Sequence, residues 1–202
     1  LEIRGAGNLL GGEQSGHIQG VGFDLYIRLV GEAVAEFRGE GEEKVTEMKI
    51  ELPVDAHLPH DYVPGERLRL EAYRKLAAAT DDAGINEVME ELADRYGEPP
   101  APVQNLAAVA RFRVRARAAG LTDVALQGNM VRFAPADLPE SKQMRLARMY
   151  KGAQYKPALN AVLVPKPKTA TIGGADLADG EILAWADQVV EAIFAPAPAA
   201  AT

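Results

Sequence analysis

The chain contains no cysteine, and only 6% of its 202 residues are aromatic. Without thiols it can form neither a disulfide framework nor a thiolate metal site, which fits a reducing, cytoplasmic environment. No apolar run approaches the roughly 20 residues that are needed to cross a bilayer, and no signal peptide is recognisable. We therefore expect a cytoplasmic protein that does not contact a membrane.

Sequence signatures of catalysis are missing as well. The chain has no nucleophile elbow, no H-E-x-x-H pair and no Walker A loop. In its glycine-rich opening, Gly5-Ala6-Gly7 is followed by Gly11, one residue too late for the dinucleotide-binding pattern. The sequence therefore predicts no catalytic residue and no bound cofactor, while an enzyme domain of unknown chemistry stays open as an alternative.

One loop raises the question of a metal site. His57 and His60 lie near Asp55 and Asp61 in the segment DAHLPHDYVPG. Closed zinc sites usually need four protein ligands at well-defined spacing, and these two histidines share no helical face. We interpret the segment as a solvated loop and predict no metal.

The net charge of −7 is distributed unevenly. Residues 1–44 carry a net charge of −4, residues 45–97 carry −6, and residues 98–202 carry +3. An acidic first half is a poor partner for phosphate backbones. The distribution favours a protein partner with basic residues over binding of DNA by this chain alone.

Residues 1–44 are predicted to form a separate unit. The chain opens without methionine on LEIRGAGNLLGGEQSG, so we expect a piece of a longer protein. Arg4 and Gln14 flank the glycines and can hydrogen-bond across such a loop. The pattern over 21–38 predicts an amphipathic helix, and the charged segment 39–44 marks a domain boundary. The apolar stripe of 21–38 needs a cover, so a homo-oligomer through this helix is one expectation.

Residues 45–202 are predicted to form an α+β domain with one small sheet. Alternating side chains predict a strand over 48–54, and Gln127-Gly128-Asn129 predicts a hairpin turn. Further strands are expected near 155 and over 159–164. Helical periodicity predicts helices over 64–79, 81–97, 102–119, 139–150 and 182–193. Residues 195–202 are low in complexity and are expected to fray.

The helix predicted over 81–97 carries the most informative surface. Thr80 or Asp81 can cap its start, and Gly97 can end it. On a helical wheel Glu91 and Asp94 point away from the apolar stripe, and Arg95 stands beside them.

Two segments of the chain resemble a known family. LEIRGAGNLLGGEQSGH with the following GFDLY is similar to the end of the motor in bacterial transcription-repair coupling factors, and RecG helicases carry a related segment. PGERLRLEAYRKLA followed by EELADRYG resembles the C-terminal domain of the coupling factors, which RecG lacks. The resemblance spans most of the chain and is densest up to about Gly97.

The resemblance implies a function for both units. Residues 1–44 would be the tail of the second RecA-like domain of a DNA translocase that uses ATP and magnesium, with Arg4 and Gln14 coupling hydrolysis to translocation. Residues 45–202 would be a regulatory domain. Its Glu91, Asp94 and Arg95 would contact the N-terminal UvrB-like module and mask the surface that binds UvrA. RNA polymerase and duplex DNA would be partners of the parent protein.

The helix predicted over 102–119 leaves another class of function open. Arginines at positions 111, 113, 115 and 117 ring this helix, so it could be the DNA-binding module of a RecG-like helicase. The favoured interpretation of Arg111–Arg117 is a solvated rim whose side-chain stems cover the core.

Overall fold

The computed structural model describes residues 48–195. The predictions for Arg4, Gln14, the helix over 21–38, the linker 39–44 and the tail 196–202 lie outside the described residues.

The described part combines helices with one sheet, which confirms the predicted α+β class. Its helices are α1 (Glu66–Ala78), α2 (Asp82–Tyr96), α3 (Ala101–Ala118), α4 (Glu140–Met149) and α5 (Asp179–Val189). Its strands are β1 (Lys49–Glu51), β2 (Asp123–Gln127), β3 (Met130–Ala134), β4 (Gln154–Lys156) and β5 (Ala161–Pro165). A 3₁₀ turn, Pro157–Leu159, joins β4 to β5, and a π-helical turn, Val190–Phe194, continues α5.

The five strands form a single mixed sheet in the order β1-β2-β3-β5-β4. β1 runs parallel to β2, and the other neighbours are antiparallel. Gln127 pairs with Met130, so the predicted hairpin closes through Gly128 and Asn129. Gly128 has a φ of 61°, a value that glycine adopts without the steric penalty of a side chain.

The core lies between the sheet and the helices, and α3 runs through it. Helix α3 packs against α1, α2 and α5. Val103, Leu106 and Phe112 are buried to 2% exposure or less, so this helix is buried on more than one side. Phe133 of the sheet stacks on Phe194 at 5.8 Å between ring centroids, which ties the π-helical turn to β3.

Some predicted boundaries differ from the observed ones. The strand predicted over 48–54 ends at Glu51, because Pro53 has no N–H to donate to a ladder. Helix α1 begins at Glu66, with Gly65 in extended conformation before it, so Pro64 is not its first residue. Leu159 belongs to the 3₁₀ turn, and Asn160 turns the chain with a φ of 52° before β5 begins.

Candidate interaction surface on helices α1 and α2

Helix α2 is fixed at both ends by local interactions. The Asp81 carboxylate accepts a hydrogen bond from the Gly84 N–H at 2.8 Å, so of the two predicted caps Asp81 is the one used. Gly97 ends the helix with a φ of 87°. Ile85, Val88 and Leu92 are buried, which leaves the opposite face to solvent.

Glu91 links α2 to α1. The Lys75 ammonium donates hydrogen bonds to both carboxylate oxygens of Glu91, at 2.7 and 3.0 Å. It also lies 3.4 Å from Glu71, one turn earlier on α1. These contacts lower the pKa of Glu91 below its ordinary value, and the hydrogen bond to Glu91 raises the pKa of Lys75.

Arg95 is held in place at the end of α2. Its guanidinium donates to Glu91 Oε1 at 3.3 Å and lies 5.4 Å from the ring centroid of Tyr96. Tyr62 meets the same ring edge-on at 5.8 Å, and its hydroxyl donates to the Gly97 carbonyl at 2.9 Å. Partial burial, together with Tyr96, raises the pKa of Tyr62. The loop before α1 thus fixes the end of α2.

Asp94 stands apart from these contacts. It is exposed and makes no hydrogen bond or ion pair within residues 48–195. Glu87 and Glu90 are exposed as well, and their spacing places them on the same helix face as Asp94. We call Glu87, Glu90 and Asp94 the acidic strip.

The three residues singled out on α2 are therefore divided between two environments. Glu91 and Arg95 touch each other, while Asp94 belongs to the acidic strip. The contact between Lys75 and Glu91 was not predicted from the sequence. The signal available was the short connection between α1 and α2, which makes antiparallel neighbours that can pair charges across their flanks.

The groove between α1 and α2 is too small for an organic ligand. Its volume is about 10 Å³, the space of a single water molecule. The groove therefore offers no cavity for a small-molecule ligand.

A second cleft, between α1 and α3, has a volume of about 230 Å³. Its lining combines apolar side chains such as Leu76 and Val114 with Arg113 and Arg117, and includes no carboxylate or histidine among the described residues. Such a lining offers no acid–base pair, so it does not favour the enzyme alternative.

The arginines of α3 do not form one basic face. Arg111 donates to the Asn86 side chain of α2 at 2.7 Å, whereas Arg115 lies 3.3 Å from Asp187 of α5. The four side chains are distributed around the helix and two of them engage neighbouring helices, which disfavours a continuous track for a phosphate backbone.

The histidine loop is held by contacts within the domain. His57 Nδ1 lies 2.8 Å from Asp55 Oδ1. The backbone N–H of Asp55 donates to Asp179 at the start of α5, and Asn105 of α3 donates to the Asp55 carbonyl at 3.0 Å. Over the described ranges, no group of three or more histidine, aspartate or glutamate side chains could hold a metal ion. Nor is any described helix long and apolar enough to span a bilayer.

Comparison with known proteins shows which family the chain resembles. A family model, "TRCF domain", matches residues 52–146. The chain is 48% identical to a transcription-repair-coupling factor of Mycobacterium bovis over 205 residues, which cover 96% of this chain and 17% of the relative. A relative of the same name from Staphylococcus haemolyticus is 36% identical over 156 residues, covering 76% of this chain and 13% of the relative.

A solved structure shares the fold. It is a crystal structure of the C-terminal domain of a transcription-repair coupling factor, with a TM-score of 0.56 at 19% identity. The similarity covers 73% of this chain and 90% of that one.

Fold and family model together define a C-terminal α+β domain of the TRCF class. The chain belongs to the transcription-repair-coupling factor family and contains its C-terminal domain. It spans only part of the length of these relatives, 17% of the Mycobacterium bovis protein and 13% of the Staphylococcus haemolyticus protein.

Proposed function

We propose that residues 45–202 are a regulatory domain that holds the parent protein in a closed state. In that state the domain contacts an N-terminal UvrB-like module and masks the surface that binds UvrA. Family membership supplies the setting, since DNA repair coupled to transcription requires a damage-recognition partner to be recruited at the right moment. The closed contact would prevent the recruitment of UvrA until the protein is bound to its substrate.

The observation that carries this proposal is the state of Asp94 and Arg95. Asp94 is exposed and has no partner within the described domain, while Glu91 and Tyr96 hold Arg95 in a defined position. An unpaired carboxylate beside an oriented guanidinium suits a contact with a partner that presents both charges. Removing one member of a charge pair that is buried at an interface leaves its partner uncompensated, which costs about 3–5 kcal/mol.

The test is made in the full-length protein. Replacement of Asp94→Ala together with Arg95→Ala is expected to open the closed state and raise the affinity for UvrA by at least about tenfold, measured by titration calorimetry or anisotropy. The matched control is Glu66→Ala with Arg67→Ala, an exposed acid–base pair at the start of α1. Equal UvrA binding by the wild type and the Asp94/Arg95 variant would show that this face is only solvated.

Residues 1–44 are assigned a separate role in the same protein. They are the tail of the second RecA-like domain of an ATP- and magnesium-dependent DNA translocase, acting on duplex DNA to displace stalled RNA polymerase. Arg4 and Gln14 relay hydrolysis to movement, because a hydrogen-bonding pair across a glycine loop can follow small displacements. This proposal rests on the resemblance of that segment.

Arg4→Ala and Gln14→Ala are each expected to uncouple ATP hydrolysis from translocation in the full-length protein. DNA-stimulated ATP hydrolysis should persist, while strand displacement and polymerase release fall. Normal translocation by both variants would show that Arg4 and Gln14 have no coupling role.

A further inference from the structure

One segment of the domain combines positive charge with exposed apolar side chains. Residues 141–175 contain seven lysines and arginines and no aspartate or glutamate, in a chain whose net charge is −7. The large hydrophobic side chains exposed within residues 48–195 all fall in this segment: Met144, Met149, Leu159 and Ile172. Two independent properties thus mark the same stretch.

Helix α4 gathers these properties on one surface. Met144 is 68% exposed and Met149 is 50% exposed. Arg145 and Arg148 are exposed between them at helical spacing, and Lys151 follows the helix end. We call Met144, Arg145, Arg148, Met149 and Lys151 the basic α4 face.

The inner side of α4 is already occupied, which fixes the direction of the free face. Leu146 is buried, and Lys142 donates to the Ala195 carbonyl at 2.7 Å. Arg145 donates to the Ala192 carbonyl at 3.1 Å, so it also anchors the π-helical turn Val190–Phe194. Arg148 and Lys151 make no hydrogen bond or ion pair with any residue between 48 and 195, and their charges are free for another molecule.

We propose that the basic α4 face docks an acidic protein segment that also carries apolar side chains. Charge complementarity requires an anionic partner, since no carboxylate occurs between Glu140 and Asp176. The methionines make the partner a protein, because an exposed thioether gains little from a phosphate backbone. Methionine adapts its shape to apolar partners and is frequent at protein-binding surfaces. An acidic amphipathic helix is the simplest segment that presents carboxylates and apolar side chains together.

This surface is distinct from the one assigned to regulation. Asp94 and Arg95 lie on α2 and offer mixed charge, whereas the basic α4 face offers positive charge and methionine. The two proposals can therefore fail independently.

The test measures peptide binding by the 202-residue chain. The probe is a labelled peptide of about 16 residues with leucines at i, i+3, i+4 and i+7 and glutamates at the other positions. Comparison ligands are an all-glutamate peptide without leucine and a DNA duplex of about 20 base pairs. The amphipathic peptide is expected to bind at least about tenfold tighter than either.

Two variants separate the contributions of charge and apolar contact. Arg148→Glu with Lys151→Glu, and Met144→Gln with Met149→Gln, should each weaken peptide binding at least about tenfold. Arg67→Glu with Arg74→Glu is the charge control, because it exchanges two exposed basic residues on α1 and should leave binding unchanged. The methionine exchange keeps side-chain length and helix propensity, and thermal unfolding at the wild-type midpoint confirms that each variant is folded.

Several outcomes would overturn the proposal. Tight DNA binding that is lost in the charge variant but kept in the methionine variant would assign the face to nucleic acid. Concentration-dependent self-association that disappears in the same variants would assign it to a second copy. Equal binding of both peptides would show that charge alone attracts them and that the methionines contribute nothing. No peptide binding at low salt would show a merely solvated helix.

Discussion

At the scale of single residues, Glu91 is the side chain that connects α2 to α1. Its carboxylate accepts from Lys75 of α1 and from Arg95 of its own helix. The side chains of Glu91 and Lys75 are 39% and 40% exposed, so solvent and salt screen their attraction. The pair therefore orients Arg95 more than it stabilises the fold.

The protonation of Glu91 gives a signed pH dependence. Because its pKa is lower in the folded chain, the carboxylate contributes stability above its ordinary pKa near 4.5, and this contribution disappears as the pH falls through the folded value. Glu91→Gln should therefore be less stable than the wild type at neutral pH, and the difference should shrink in acid.

Urea unfolding of both proteins at neutral and acidic pH measures this difference. Glu87→Gln, on the exposed acidic strip, is the matched control and should show little change at either pH. A stability difference between Glu91→Gln and wild type that is constant across the range would contradict the assigned role of the ion pair.

At the scale of elements, α2 is the scaffold of the candidate surface. Its apolar stripe fixes which face is buried, and its ends are set by Asp81 and Gly97. Helix α3 has the opposite character, since it is packed on several sides and its arginines reach different neighbours.

The cap of α2 can be tested directly. Asp81→Ala removes the acceptor for the Gly84 N–H and is expected to lower the free energy of unfolding by about 0.5–2 kcal/mol. Asp81→Asn retains an acceptor and should stay close to wild type. Chemical unfolding at neutral pH distinguishes the two, and equal loss in both variants would mean that charge rather than capping matters.

At the scale of the whole molecule, the apolar core extends over nearly the whole described range, residues 48–195. Met48, directly before the first strand, and Ile50 within that strand are buried, and Ile193 near the last described residue is buried too. The sheet and helices between them share one apolar cluster. The boundary expected at residue 44 lies outside the described residues and stays a prediction.

A chain of residues 45–202 is accordingly expected to fold alone. It should unfold in one cooperative transition with a midpoint within a few degrees of that of the 202-residue chain, as small domains do. Circular dichroism with thermal scanning is the measurement. Loss of the transition on removal of residues 1–44 would place the boundary elsewhere.

The sequence by itself determined the features that depend on neighbouring residues. The turn at Gly128 and the end of α2 at Gly97 follow from backbone dihedral preferences, and short-range hydrogen bonding limited the cap of α2 to Thr80 or Asp81. Periodicity likewise located the helices, because a buried face repeats every three to four residues. The family segment at ELADRYG was readable for the same reason, being continuous in the chain.

Only the tertiary structure decided which distant residues meet. Lys75 and Glu91 are 16 positions apart and pair because α1 and α2 pack side by side. Strand β1 joins β2 in parallel across more than seventy residues, and β5 separates β3 from β4. The position of the basic α4 face follows from the burial of Leu146 and from the hydrogen bond that Lys142 donates to the Ala195 carbonyl. Such contacts depend on the packing of whole elements, for which a local pattern contains no distance information.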